Sequence, residues 1–109
     1  MVRQHEGRQV MARTKKQIPI ILCATETGRA VIFGYVDSLP EPGQPVTLYD
    51  ARMILYWSEK CGGLFGLAAN GPAAECRITH AVPFTTETVW KEVVAVTPAA
   101  ATALSEWKQ

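Results

Sequence analysis

Three arginines, Arg29, Arg52 and Arg77, and three aromatic residues, Tyr56, Trp57 and Phe65, are the side chains of this sequence best suited to hold a ligand. A guanidinium pairs with phosphate through two parallel hydrogen bonds, and an aromatic ring stacks on a nucleobase. Asn70 offers an amide that can read a base edge or a sugar hydroxyl. Together they are the inventory of a nucleotide-binding surface. Each also has a plainer reading. Trp57 and Phe65 are equally suited to a core, Arg52 lies beside Asp50 and can form a local ion pair, and Arg29 falls in a turn. Asn70 precedes Gly71-Pro72, the usual punctuation of a helix end.

Reactive chemistry is less well supplied. The sequence holds no nucleophile elbow, phosphate-binding Gly-rich loop, paired-histidine zinc motif or dinucleotide fingerprint. Cys61, before Gly62-Gly63, would need a basic neighbour or a helix N-terminus to become a thiolate. Three cysteines with no Cys-x-x-Cys spacing, and only His5 and His80, argue against a zinc site or a disulfide framework. No catalytic residue, metal or cofactor is therefore expected.

Extended segments must position these groups. Residues 17–24 are apolar and rich in isoleucine, which predicts a buried strand. Residues 25–29 form a turn. Residues 30–37 return as a strand, with Ala30, Ile32, Gly34 and Val36 on one face and Val31, Phe33 and Tyr35 on the other. Two apolar faces make it a central strand. The proline-rich residues 38–45 are a loop. Val46–Tyr49 is a strand ending at Asp50. Residues 52–57 continue extended, with Arg52, Ile54 and Tyr56 facing one way and Met53, Leu55 and Trp57 the other. Leu64–Ala69 suits a short helix. Residues 76–82 and 89–96 are further strands, the last with Trp90 and Val94 on one side. Thr97 as N-cap and Pro98 at the first turn open a terminal helix over residues 99–107, whose Leu104 and Trp107 dock on the sheet. The expected architecture is α+β: a small, mostly antiparallel sheet of about six strands, one short internal helix and a C-terminal helix.

With 109 residues, 48% of them apolar and a net charge of +1, the chain is sized for one domain and carries no bulk charge of a general nucleic-acid or membrane binder. The charge is uneven. Residues 1–16 hold five basic groups against Glu6, a net +4, whereas residues 17–109 hold six basic against nine acidic, a net −3. A basic N-terminal arm over residues 1–16 and a single α+β domain over residues 17–109 are expected. The arm is either a solvated leader or a contact for a phosphate backbone. No apolar run is long enough to span a membrane as a helix. A chain this small is also a reasonable oligomer.

The stretch Asp50-Ala51-Arg52-Met53-Ile54-Leu55-Tyr56-Trp57 resembles a D-A-R-R-x-W-x-W-like segment of a family of small phage and prophage proteins. Residues 64–71 (LFGLAANG) are similar to that family's following L-x-x-L-A-x-x-G helix. Glu92-Val93-Val94-Ala95-Val96-Thr97-Pro98 is similar to its E-A-I-E-I-x-P-type ending, and residues 30–34 to its G-V-x-x-G strand. The likeness spans roughly residues 18–107 and points to the Thoeris anti-defence sponge proteins of the first type. That resemblance implies a phage protein in the host bacterial cytoplasm that sequesters a cyclic ADP-ribose isomer, or cyclic oligonucleotides, without cleaving it. It also implies a homo-oligomer, a dimer or higher, with a hexamer among the assemblies. Arg52, Trp57 and Asn70 match the pattern. Met53 stands where a second arginine is common, Leu55 where a first tryptophan is common, Ala30 where a glycine is common, and Thr25 near an expected arginine. The residues assigned to the ligand are thus Arg29, Arg52, Trp57, Phe65, Asn70 and Arg77. The competing readings are a phage structural or partner-binding domain, a nucleic-acid-binding accessory protein using the basic arm, and a small phosphodiesterase with His80 as its base.

Overall fold

The structure is a computed structural model that describes residues 16–24 and 30–108. The expectations for Arg29, Thr25 and all of the arm but Lys16 lie outside the described residues. The elements, in chain order, are β1 (Ile18–Cys23), β2 (Val31–Val36), β3 (Val46–Tyr56), a 3-10 turn (Glu59–Cys61), α1 (Gly63–Asn70), β4 (Arg77–Ile78), β5 (Val82–Glu87), β6 (Glu92–Ala95) and α2 (Pro98–Glu106). The protein is α+β, with a six-stranded antiparallel sheet, one short internal helix and a C-terminal helix.

The strands follow the order β4-β3-β2-β1-β6, and β5 also pairs with β3. The long β3 therefore serves two partners on one edge: Val46 to Ala51 pair with β5, and Ile54 and Tyr56 with β4. On its other edge it pairs with β2, which alternates as its sequence predicts. Val31 and Phe33 join a core under the helices with Ile21, Ile54, Leu67, Ala100 and Leu104. Ile32 and Val36 join a second core with Ile20, Leu22, Val46, Leu48 and Ala51. Among the described residues this second core contains no helical residue, and Ile20, Leu22 and Leu48 are wholly buried. The sheet curls, because β5 and β6 lie at its opposite edges and are joined only by residues 88–91. Trp90, in the connection between β5 and β6, packs on this inner core and donates its indole N–H to the Gln44 carbonyl at 2.6 Å, tying two loops across its end.

Asp50 does not end a strand. Val46–Tyr49 and the segment from Arg52 onward are one strand with a β-bulge between them. Tyr35 pairs with Tyr49 and Phe33 with Arg52, so one residue on β2 faces two on β3, and Asp50 takes a φ of 51°. The extra residue resets the alternation. It turns Arg52 and Ile54 toward the helices and puts Ala51 and Met53 on the curled face beside Ile32.

Other boundaries also differ from expectation. The strand expected over residues 76–82 is only Arg77–Ile78, and β5 starts at Val82 and runs through Pro83 to Glu87. Proline is tolerated there because, among the described residues, β5 pairs with β3 on one side only. The last strand is only Glu92–Ala95. Trp90 lies before it and packs on the inner core, whereas Val94 packs under the helices, so the two do not share a side. Trp57 lies beyond the end of β3 and packs under the helices rather than beside Met53 and Leu55.

The helix ends follow their sequence signals. Gly71 closes α1 with a φ of 90° and an N–H bond to the Leu67 carbonyl. Thr97 caps α2, its hydroxyl accepting from the Ala100 N–H, with Pro98 in the first turn. Leu104 is fully buried, and Trp107 packs against the helix-side core with its indole N–H on the Cys76 carbonyl.

Candidate functional site

Arg52 is 6% exposed. Its Nε donates to the Thr79 carbonyl at 2.7 Å, Nη1 to the carbonyls of Leu104 (2.7 Å) and Ser105 (3.1 Å), and Nη2 to that of Trp107 (2.7 Å). Four of the five N–H donors of a guanidinium are thus spent on main-chain carbonyls. Three of these close the C-terminal end of α2, where a helix leaves carbonyls unpaired and its dipole favours a cation. Burial pushes the Arg52 guanidinium below its ordinary value, but it stays charged because arginine does not deprotonate in proteins. The residue expected to clamp phosphate is a helix cap, which leaves little of it for a phosphate.

The other expected ligand residues are dispersed. Trp57 is half-buried against the helix-side core. Phe65 is 68% exposed on α1, and Asn70 is that helix's last, exposed residue. Five positions of α-helix separate them by roughly 140° of rotation, so they face different ways. Arg77 is exposed on β4. Its cross-strand partner is Tyr56, which is 51% exposed. These two the structure does bring together, as backbone partners across the β3–β4 ladder just past an irregularity between Ile54 and Tyr56.

Three residues along from this pair, at Met53 on β3 and at His80 after β4, a groove of about 220 Å³ opens on the curled face. Ile32, Ala51, Met53 and Val82 give it apolar walls, and Thr79, His80, Thr85 and Glu87 supply polar groups. The Thr79 hydroxyl accepts from the Met53 N–H and donates to the His80 carbonyl. The Thr85 hydroxyl donates to Oε2 of Glu87 at 3.1 Å. Sequence reasoning missed Thr85 and Glu87 because Pro83 hid β5. The alternation of Val82, Phe84 and Thr86 against Thr85 and Glu87 was the available signal.

Cys61 is not set up as a nucleophile. Its thiol is buried and donates to the Ser58 carbonyl at 3.0 Å. Burial, and after it the neighbouring Cys76, push its pKa up. The start of α1 does not offset this. Among the described residues no group of three or more His, Cys, Asp or Glu side chains is placed to hold a metal, and no helix is long and apolar enough to cross a membrane.

Fold and surface together define a small α+β domain with a curled antiparallel sheet and a shallow groove at its β3–β5 edge. The chain belongs to the family described as Domain of unknown function (DUF6948), whose profile matches residues 7–107. No curated protein and no solved structure matches it.

Proposed function

We propose that this protein is a non-catalytic binding protein that retains a nucleotide ligand on the surface running from Tyr56 and Arg77 to the groove beside Met53 and His80. The pairing of Tyr56 with Arg77, both exposed, carries the reading. A ring face accepts a base and a guanidinium fork accepts a phosphate, and neither group is engaged elsewhere among the described residues. The resemblance to Thoeris anti-defence sponges supplies the ligand class: a cyclic ADP-ribose isomer or a cyclic oligonucleotide, sequestered in the host bacterial cytoplasm by a homo-oligomer. Sequestration needs affinity and no transition-state stabilisation. The buried, protonated Cys61 thiol is in keeping with that.

The test is calorimetric titration with cyclic ADP-ribose isomers and cyclic di- and trinucleotides, followed by heating and chromatography of the released ligand. Saturable binding with intact ligand is expected. Tyr56→Ala and Arg77→Ala should each weaken it about tenfold or more, since stacking and charge-assisted contacts are worth roughly 1–3 kcal/mol each. Absence of binding across the panel, or recovery of a cleaved product, overturns the reading.

The β5 edge favours a second reading, a partner-binding domain. Phe84 is 59% exposed and Val82 nearly half exposed on a strand whose outer edge lacks a strand partner among the described residues. Such edges pair with other chains unless they are blunted, and Pro83 blunts this one.

A further inference from the structure

The groove has a hydrogen-bonding character of its own. Thr79 and Thr85 have committed their hydroxyl protons, to the His80 carbonyl and to Glu87 Oε2. Arg52 reaches the lining, but four of its five N–H donors are held by carbonyls. Of the lining side chains that remain, the His80 imidazole can both donate and accept, whereas Glu87 only accepts hydrogen bonds when ionised. Its Oε1 has no partner among the described residues, and the Thr85 hydroxyl fixes the other oxygen. The same lining includes the apolar surfaces of Ile32, Ala51, Met53 and Val82. A volume of about 220 Å³ is below the roughly 300–1,000 Å³ of sites that take whole drug-sized ligands. It suits one ring system. The ligand that fits is flat and apolar on its faces, and it carries N–H donors on one edge.

Building on the nucleotide reading above, in its cyclic-oligonucleotide form and not in the adenine-bearing cyclic ADP-ribose form, we propose that the groove seats the base of the ligand and that Glu87 selects guanine. Guanine presents N1–H and an N2 amino proton side by side, and a carboxylate accepts both in parallel, as it does from the fork of an arginine. Adenine sets its amino group beside the lone pair of N1, and cytosine sets its own beside N3. Uracil flanks its N3–H with two carbonyl oxygens. Each of these turns at least one lone pair toward the carboxylate. A site built to receive donors discriminates strongly against a ligand that leaves its acceptor unpaired. The thioether of Met53 is a suitable surface for the ring. With the base so placed, Arg77, three residues before His80, is within about 10 Å along the chain for the phosphate.

The test titrates the full chain with GMP and AMP, using the wild type, Glu87→Gln and Arg77→Ala. GMP should bind the wild type about tenfold or more tightly than AMP. Glu87→Gln replaces one acceptor by a donor, so it should lower GMP affinity by about tenfold and remove the preference. Arg77→Ala should weaken GMP and AMP alike and leave the preference in place. Equal affinity for GMP and AMP in the wild type overturns the assignment of guanine while the nucleotide reading stands, and this comparison needs no variant to fold. A guanine preference that survives Glu87→Gln overturns the role of Glu87. If neither nucleotide binds, and the cyclic ligands fail as well, both readings fall.

Discussion

Nη1 of Arg52 lies 2.7 Å from the carbonyl oxygen of Leu104, fifty-two residues later in the chain. Through this bond and its neighbours on Ser105 and Trp107, a side chain in the middle of the sheet closes the last turn of α2. The bulge at Asp50 is what allows it, because without the extra residue Arg52 would face the inner core. Replacing Arg52 with alanine should cost about 3 kcal/mol. Hydrogen bonds to a charged group are worth roughly 1.5–3 kcal/mol each, and the deserted carbonyls recover part of that by hydration. Arg52→Lys should recover less than half, since an ammonium cannot span carbonyls on two sides. Urea denaturation measures both. A loss below about 1 kcal/mol for Arg52→Ala would show that α2 does not depend on this cap.

Thr97 joins the two helices. Its hydroxyl donates to the Ala69 carbonyl at 2.8 Å and accepts from the Ala100 N–H at 3.1 Å, while its own N–H reaches the Ala68 carbonyl at 3.0 Å. One residue thus satisfies the end of α1 and the start of α2. Thr97→Val keeps the shape and removes the hydroxyl, and it should lower stability by about 1–2 kcal/mol, the range for loss of an N-cap. Thr97→Ser should stay within about 0.5 kcal/mol of the wild type. Thermal unfolding should separate the two by several degrees.

Where the sequence was informative, one physical cause acted alone. The two apolar faces of β2 could only mean a strand covered on both sides. The Thr97-Pro98 and Asn70-Gly71-Pro72 signals are local and need no partner. Legibility failed where causes compete. At Asp50 a single residue in a left-handed conformation shifts every later side chain of β3 to the other face, and an aspartate does not announce a bulge as a glycine does. At β5 a proline masks a strand that survives because its other edge carries no ladder among the described residues. Arg52 is the clearest case at the candidate site: a guanidinium suits a phosphate and a helix end equally, and only the fold chooses between them. Tyr56 and Arg77 were each legible as ligand groups, but their adjacency rests on a two-residue strand that periodicity cannot detect.

Gly66, in the second turn of α1, has no room for a side chain. A Cβ built there would overlap the carbonyl of Cys61, where the helix folds back on the 3-10 turn that precedes it. Alanine is the better helix former by about 1 kcal/mol, so a Gly66→Ala variant free of that overlap would be stabilised. The overlap is with backbone, which cannot rotate away, and the net effect should be a loss of about 2 kcal/mol or more. Hydrogen exchange is the sharper readout: protection should fall in residues 58–71 and stay unchanged in β1 and β2. Equal or greater stability of the alanine variant would mean that the turn moves freely relative to α1.

Burial pushes the thiols of Cys23 and Cys61 above the ordinary cysteine value, with Glu92 adding to the effect at Cys23 and Cys76 at Cys61. An unfolded chain releases these protons near pH 8.5–9, whereas the folded chain holds them to higher pH. Above the unfolded value the folded state therefore binds more protons than the unfolded state, and unfolding becomes easier as pH rises. The contribution is fully present below about pH 8.5 and is lost as pH climbs toward the folded values. Urea midpoints measured from pH 7.5 to 10 under reducing conditions should fall more steeply for the wild type than for a Cys23→Ala/Cys61→Ala double variant. The slopes carry the test, because any cavity left by alanine lowers the variant's stability by a similar amount at every pH. Parallel slopes would mean that the thiols ionise as readily in the fold as out of it, and would restore Cys61 as a candidate nucleophile at the start of α1.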